Sequence, residues 1–265
     1  MSKFTDAVFK QLKKKEIQGI PEILAFNFMM ALVPMLIIFF QILAFLSIET
    51  TMLDEVIALY LPTELYTFFM DFLETATFRF NDHPILLIIT LITLTLTISK
   101  GVNGIFKAFL ITYDETVETP AYKHRITATL TFFLLLAFGA FATFFITTSH
   151  VILANFPMII SVLIELGIFT LLCFVFFYLL FKLAPNKKKS FKELLPGVSL
   201  CTVGVMLTTT IFTFYVDQLA NFHLIYGSLA IIIILLTLLY LLGWVINLGI
   251  QINFIMGEIK SKDAF

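Results

Sequence analysis

From Gly227 to Met256 the chain runs for thirty residues without a charged side chain. Few folded environments accept such a stretch. About 20 apolar residues cross the ~30 Å hydrocarbon core of a bilayer as one α-helix. This run exceeds that need, so the sequence predicts a span that tilts or projects beyond the bilayer. Gly243, Asn247 and Gln251 fall on one face of that helix.

Five earlier runs repeat the pattern, giving expected spans at 23–48, 85–112, 126–148, 158–181, 196–215 and 227–256. Composition agrees: 60% of the 265 residues are hydrophobic and 13% charged, against about 45–50% and about 25% in soluble domains. The expected fold class is all-α: a polytopic membrane protein with six transmembrane helices and an amphipathic helical segment between spans 1 and 2. It forms one membrane domain, 1–265. The opening MSKFTDAVFKQLKKKEIQG does not read as a signal peptide, because no cleavage site follows its late apolar stretch. Cys173 and Cys201 both fall inside spans, so neither a structural disulfide nor a metal site is expected.

Six spans put both termini on one side. Fourteen of the seventeen Lys and Arg residues lie in the N-terminal segment, 113–125, 182–192 and the tail, whereas the three opposite loops hold only Arg79. By the positive-inside rule the termini are cytoplasmic. The expected location is the bacterial cell (inner) membrane, with segment 49–84 outside.

That outer segment carries seven acids and one Arg. Leu65, Phe68, Phe69, Phe72 and Ala76 form an apolar stripe at helical spacing. It reads as amphipathic helices that cap the bundle or lie at the interface, and its acidity suggests docking on protein. At the other end, Phe4, Val8 and Leu12 recur among lysines. Residues 4–18 therefore read as a helix on the anionic inner leaflet, broken by Gly19 and Pro21.

Polar residues inside spans carry the functional reading. Span 2 turns from a Leu/Ile/Thr run into Ser99, Lys100, Gly101, Asn103, Gly104 and Lys107 within three helical turns. Lys100, Asn103 and Lys107 share a side, and the glycines admit a neighbouring helix. A lysine in a span costs roughly 2.5–3.5 kcal/mol and needs a partner, solvation or an escape to the headgroups. Snorkelling and a substrate contact both remain open for Lys100. In span 1, Asn27, Pro34 and Gln41 line one face, and Pro34 is expected to kink the helix or open its hydrogen-bond ladder. That face reads equally as a pathway lining or a helix–helix contact. Glu165, two turns into span 4, is an intramembrane acid. It either packs as a protonated or hydrogen-bonded group or faces an outer cavity with Asp217, His223 and Asn155. Thr and Ser in spans 2, 3 and 5 read as interhelical hydrogen-bonding groups.

An ordered set of motifs resembles the YihY / virulence factor BrkB family, once labelled ribonuclease BN. They are AFNFMMALVP ending at Pro34, Ser99-Lys100-Gly101-Val102, Tyr113, Glu118, Tyr178, Pro185, Pro196-Gly197, Phe214-Tyr215, Tyr226-Gly227-Ser228 and Gly249-x-Gln251-x-Asn253. Relatives often carry Trp in spans 5 and 6 and an acid near Gln251, whereas Trp244 is the single Trp here. The resemblance implies a six-helix inner-membrane protein. Its members are linked to serum resistance and, in one branch, to export of a lipid A precursor.

An enzyme reading finds little support. His83, His124, His150 and His223 are scattered over different loops, and no HExxH, G-x-S-x-G or Gly-rich phosphate loop is present. No cofactor and no nucleic acid partner is expected. The favoured reading is a transporter or flippase-like protein that moves a lipid or other amphiphilic anion without ATP hydrolysis. Lys100, Asn103, Glu165, Asn27, Pro34, Gln41, Asn247, Gln251 and Asp217 are its candidate pathway residues, and membrane lipids are its partners. The alternative is a non-transporting scaffold that docks a protein partner through the acidic outer segment. A membrane nuclease ranks below both.

Overall fold

The computed structural model describes residues 11, 13–45, 63, 65–71, 102–114, 121–153, 156–184, 190–218 and 229–263. Among them every regular element is helical. In chain order these are α1 (Lys15–Gln18), α2 (Ile20–Phe45), α3 (Val102–Tyr113), α4 (Ala121–Leu153), α5 (Met158–Leu183), α6 (Phe191–Gln218) and α7 (Ala230–Asp263), with a further helical segment at 65–71. Four helices are long and apolar enough to cross a membrane: Ile126–Ile146, Ile159–Leu183, Phe191–Asp217 and Ala230–Ile259. They match the last four expected spans. Helix α2 continues for 26 residues through Pro34. Residues 85–101, the first part of expected span 2, lie outside the described residues.

Helix α7 is the axis of the bundle. It packs most extensively on α6, then on α2, while α5 joins α6 to α4 and α4 touches α2. Helix α3 is enclosed. Val102, Ile105, Phe106, Ala108, Phe109 and Thr112 are buried, against Leu24 and Asn27 of α2, Phe181 of α5 and Phe254 of α7. Asp114, in the left-handed region at φ 51°, ends it. Asp tolerates that conformation better than most residues.

Two apolar clusters form. The larger unites Leu24, Phe106, Phe109, Leu135, Phe181, Leu194 and Ile250, at the end of the bundle where α5 gives way to α6. The smaller, at the opposite end, joins Ala25, Phe212, Val216, Ile234 and Leu238 around Leu65, which is fully buried. Helices α4 and α5 contribute nothing to this second cluster. Among the described side chains Ala140 is the last buried one of α4, and Phe141, Phe144 and Phe145 beyond it are exposed. From Ile159 to Phe176 no side chain of α5 is buried, and Ile159 is 76% exposed. Among the described residues one half of the bundle is thus well enclosed, while in the other α4 and α5 expose many apolar side chains.

Two boundaries differ from expectation. Helix α6 starts at Phe191, five residues before Pro196, because Ser190 and Glu193 form a capping box in which the Ser190 N–H donates to Glu193 Oε2 at 3.2 Å. Pro196 therefore lies inside the first turns. Asp217 belongs to the last turn of α6, not to a loop. The described part of the N-terminal stretch packs against the bundle. Ile17 and Ile20 are 1% and 2% exposed and join the larger cluster, while Lys13 and Lys14 are exposed. Ile17 thus packs into the bundle. Phe4, Val8 and Leu12 lie outside the described residues.

Candidate functional site

A polar network lies inside the closed half. Asn247 and Gln251, one turn apart on α7, are both fully buried. Gln251 Nε2 donates to Thr112 Oγ1 of α3 at 2.7 Å and to Asn247 Oδ1 at 3.1 Å. Asn247 Nδ2 donates to the Ile17 carbonyl at 3.3 Å. That carbonyl also receives the Gly19 N–H where α1 turns into α2. The network ties α7 to α3 and to the N-terminal segment. Gln251 Oε1 is buried and accepts no hydrogen bond. In a span, where no bulk water is at hand, an unpaired polar atom costs about 1–3 kcal/mol.

The chain permits this approach through small residues. A Cβ on Gly243 would lie 2.9 Å from the Pro21 carbonyl, so only glycine lets α7 meet the start of α2. Two turns nearer the C-terminus, Gly249 faces Gly197 and Cys201 of α6 too closely for any side chain. There Asn253 Oδ1 accepts the Gly197 N–H at 2.7 Å. Pro196 lacks the N–H that would close the preceding helical bond, and Asn253 reaches the amide beside this gap. Asn253 Nδ2 is buried without a partner.

A second polar pair lies higher between α2 and α3. Gly104 lets Asn27 approach, with Nδ2 2.9 Å from where a Cβ would stand. Asn103 is half-buried, and its Oδ1 is buried without a partner.

The structure therefore brings Asn247 and Gln251 together and sets Asn27 beside the Asn103–Gly104 turn. Both α7 amides are enclosed and line no open passage in this conformation. Glu165 belongs to neither group and is half-buried on α5. Asp217 is exposed and accepts the Thr63 N–H at 3.0 Å, tying the segment before 65–71 to α6. Lys100, His223, Asn155 and the side chains of Pro34 and Gln41 lie outside the described residues. Lys107 is exposed.

Sequence reasoning missed Thr112, Ile17 and the Gly197–Asn253 pair as parts of one site. Its signal was the pairing of Pro196-Gly197 with Gly249-x-Gln251-x-Asn253, two motifs that turn out to be in contact. Thr112 of expected span 2 bonds across helices as expected, and several threonines also make local bonds. Thr143, Thr148, Thr170, Thr202, Thr209, Thr210 and Thr237 donate to carbonyls four residues back, a local bond available to any hydroxyl on a helix. Thr170 also reaches another helix, at Met206 Sδ. Among the described residues no group of three or more His, Cys, Asp or Glu is placed to hold a metal ion.

Comparison with known proteins matches residues 8–264 to the family described as virulence factor BrkB. The putative ribonuclease-like protein YfkH of Bacillus subtilis (strain 168) is 29% identical over 97% of this chain and 96% of its own length. A UPF0761 membrane protein of Histophilus somni (strain 129Pt) is 24% identical over 97% of this chain and 90% of its own. A UPF0761 membrane protein of Pelodictyon phaeoclathratiforme is 35% identical, but over 33% of this chain and 20% of its own length. No solved structure matches the chain.

Proposed function

The chain belongs to the virulence factor BrkB family, and from that premise we propose that it is a carrier moving a lipid or other amphiphilic anion across the bilayer without ATP hydrolysis. It crosses the cell (inner) membrane six times, with both termini in the cytoplasm. The observation that carries this reading is the asymmetry of the bundle. The half holding Ile17, Thr112, Asn247 and Gln251 is closed, whereas in the other half no side chain of α5 from Ile159 to Phe176 is fully buried and Ile159, Val162, Leu163, Leu166 and Leu171 are exposed. With cytoplasmic termini, the closed half is the inner one.

An amphiphile needs a polar route for its head and hydrocarbon for its tails. Glu165, set among Leu163, Ile164 and Leu166, puts one polar group on the uncovered apolar surface. An ionisable residue within a span is a functional position by default. Lys100 and Lys107 attract the anionic head from the inner leaflet. Asn27 faces Gly104 beside Asn103, Asn247 and Gln251 lie in the closed half, and Pro34, Gln41 and Asp217 are the remaining candidates for the polar path.

The test is translocation by the purified protein in liposomes. Fluorescent anionic and zwitterionic lipids are followed by external quenching, beside empty liposomes and a Lys100→Ala/Glu165→Gln variant. Quenching beyond the outer-leaflet fraction with wild type, reduced in the variant, supports the carrier. Equal curves for wild type and empty liposomes reject unaided lipid movement and move the scaffold reading forward.

A further inference from the structure

We propose that segment 13–18 is an inner latch of the bundle, which undocks by turning about Gly19 and so uncovers the Asn247–Gln251–Thr112 network to water. The joint is visible in the glycines. Gly104, Gly197, Gly204, Gly243 and Gly249 each face another helix within 3.0 Å of where a Cβ would stand, so packing demands them. Gly19 has nothing within 4 Å of that point, and its φ of −83° suits any residue. It stands between α1 and α2, whereas the equally open Gly167 and Gly257 lie inside continuous helices. Neither space nor φ calls for glycine at this turn, so what the residue supplies is backbone freedom. The start of α2 stays in place, because the Pro21 carbonyl is wedged against Gly243. Movement therefore belongs to the chain before Ile20.

What holds the segment is slight. Helix α1 has four residues, too few to persist without the bundle. Among the described side chains of 13–18 only Ile17 is buried, while Lys13, Lys14 and Gln18 are exposed. Asn247 Nδ2 reaches the Ile17 carbonyl at 3.3 Å, just beyond the ~2.7–3.2 Å of a typical N–H···O bond. The docked state also leaves polar atoms unpaired. Gln251 Oε1 and, two residues before the segment, Gln11 Nε2 are buried with no hydrogen-bond partner. Water entering on undocking pairs Gln251 Oε1 and takes the Asn247 N–H, and a bridging water is nearly as good a partner as a protein group. These gains oppose the burial of Ile17, so the docked and undocked states lie close in free energy, as a local opening requires. The network is near the inner surface, since Thr112 is two residues from the exposed Asp114 that ends α3. Undocking thus opens the closed half from the cytoplasmic side. That gating role rests on the carrier reading, whereas the motion itself does not.

The test reads access and needs no translocation. The full-length protein in lipid nanodiscs carries Thr112→Cys, and its reaction with a small, water-soluble methanethiosulfonate cation is timed. The chain without the added cysteine corrects for Cys173 and Cys201. Thr112 is 2% exposed, so the reaction is slow while the latch is docked. Ile17→Asp disfavours docking and should speed it by about tenfold or more, as the loss of one buried aliphatic side chain allows. Gly19→Ala fits both the open space and the φ, and by stiffening the joint should slow it about two- to fivefold. Val216→Cys, at a position 1% exposed in the smaller cluster, is the folding control and should react equally slowly with and without Ile17→Asp. An unchanged rate at residue 112 in Ile17→Asp overturns the latch, and so does a Gly19→Ala rate equal to that of the parent. Rates that rise alike at residues 112 and 216 make Ile17 an ordinary core residue whose loss loosens the whole bundle, and overturn it as well. The expected pattern in a protein that moves no lipid supports the latch and rejects only the carrier.

Discussion

At the scale of single residues, glycines decide where helices of this chain meet. Gly249 touches Cys201 Sγ and lies against the Gly197 carbonyl, so a methyl group there has nowhere to go. The neighbours are a second backbone and a fully buried cysteine, neither of which can swing aside. Gly249→Ala should therefore lower stability by about 1–3 kcal/mol, the usual cost of overfilling a core, seen as a lower Tm in detergent. Gly257, two turns further along α7, has open space where its Cβ would stand. Gly257→Ala should be neutral or stabilise by about 1 kcal/mol through helix propensity. Equal losses in both variants would mean that α7 and α6 do not meet at Gly249. Neither role is visible in the sequence, where the two residues are simply glycines on an apolar helix.

At the scale of elements, the spans were legible and their partners were not. Hydropathy predicted the last four spans because the bilayer requires long apolar runs. It did not show the start of α6, where Ser190 and Glu193 cap a helix that continues through Pro196. Nor did it show that the N-terminal segment enters the bundle. Periodicity placed Gly243, Asn247 and Gln251 on one face, and the structure agrees, but only cross-helix register gives them Pro21, Ile17 and Thr112 as partners. Register is set by shape at particular small residues, and one sequence carries no direct record of it. The apolar stripe of segment 49–84 is a similar case. Leu65 is fully buried in the smaller cluster and Phe69 packs against it, while Asp217 accepts the Thr63 N–H. Residues 65–71 are helical and pack on α2, α6 and α7, while Phe72 and Ala76 lie outside the described residues. Leu65→Ala should cost about 2–5 kcal/mol, as large-to-small core changes do, measured as a fall in Tm. Asp71, exposed on the same segment, should tolerate asparagine within about 0.5 kcal/mol. If Leu65→Ala is as silent as Asp71→Asn, segment 65–71 does not anchor the bundle.

At the scale of the whole molecule, the central question is what covers α4 and α5 beyond Ala140 and before Phe177. A carrier of amphiphiles leaves this surface to lipid, whereas a scaffold or an obligate assembly buries it against protein. The surface is apolar almost throughout, so area alone does not separate the two, because lipid tails and protein side chains both satisfy it. Fluorescence does separate them. Trp244 is the single tryptophan, so a Trp244→Phe background is optically silent and accepts one reporter. Leu163→Trp, at a position 63% exposed, should be strongly quenched by brominated acyl chains in reconstituted vesicles. Leu180→Trp would overfill the core, so the enclosed reference is Phe177→Trp, at a position 5% exposed, where quenching should be weak. Strong quenching at residue 163 together with weak quenching at 177 fits a bundle closed at one half and open to lipid at the other. Weak quenching at both positions means that protein covers α5. The uncovered surface would then be an interface, and the asymmetry on which the carrier reading rests would belong to an assembly and not to a transport path.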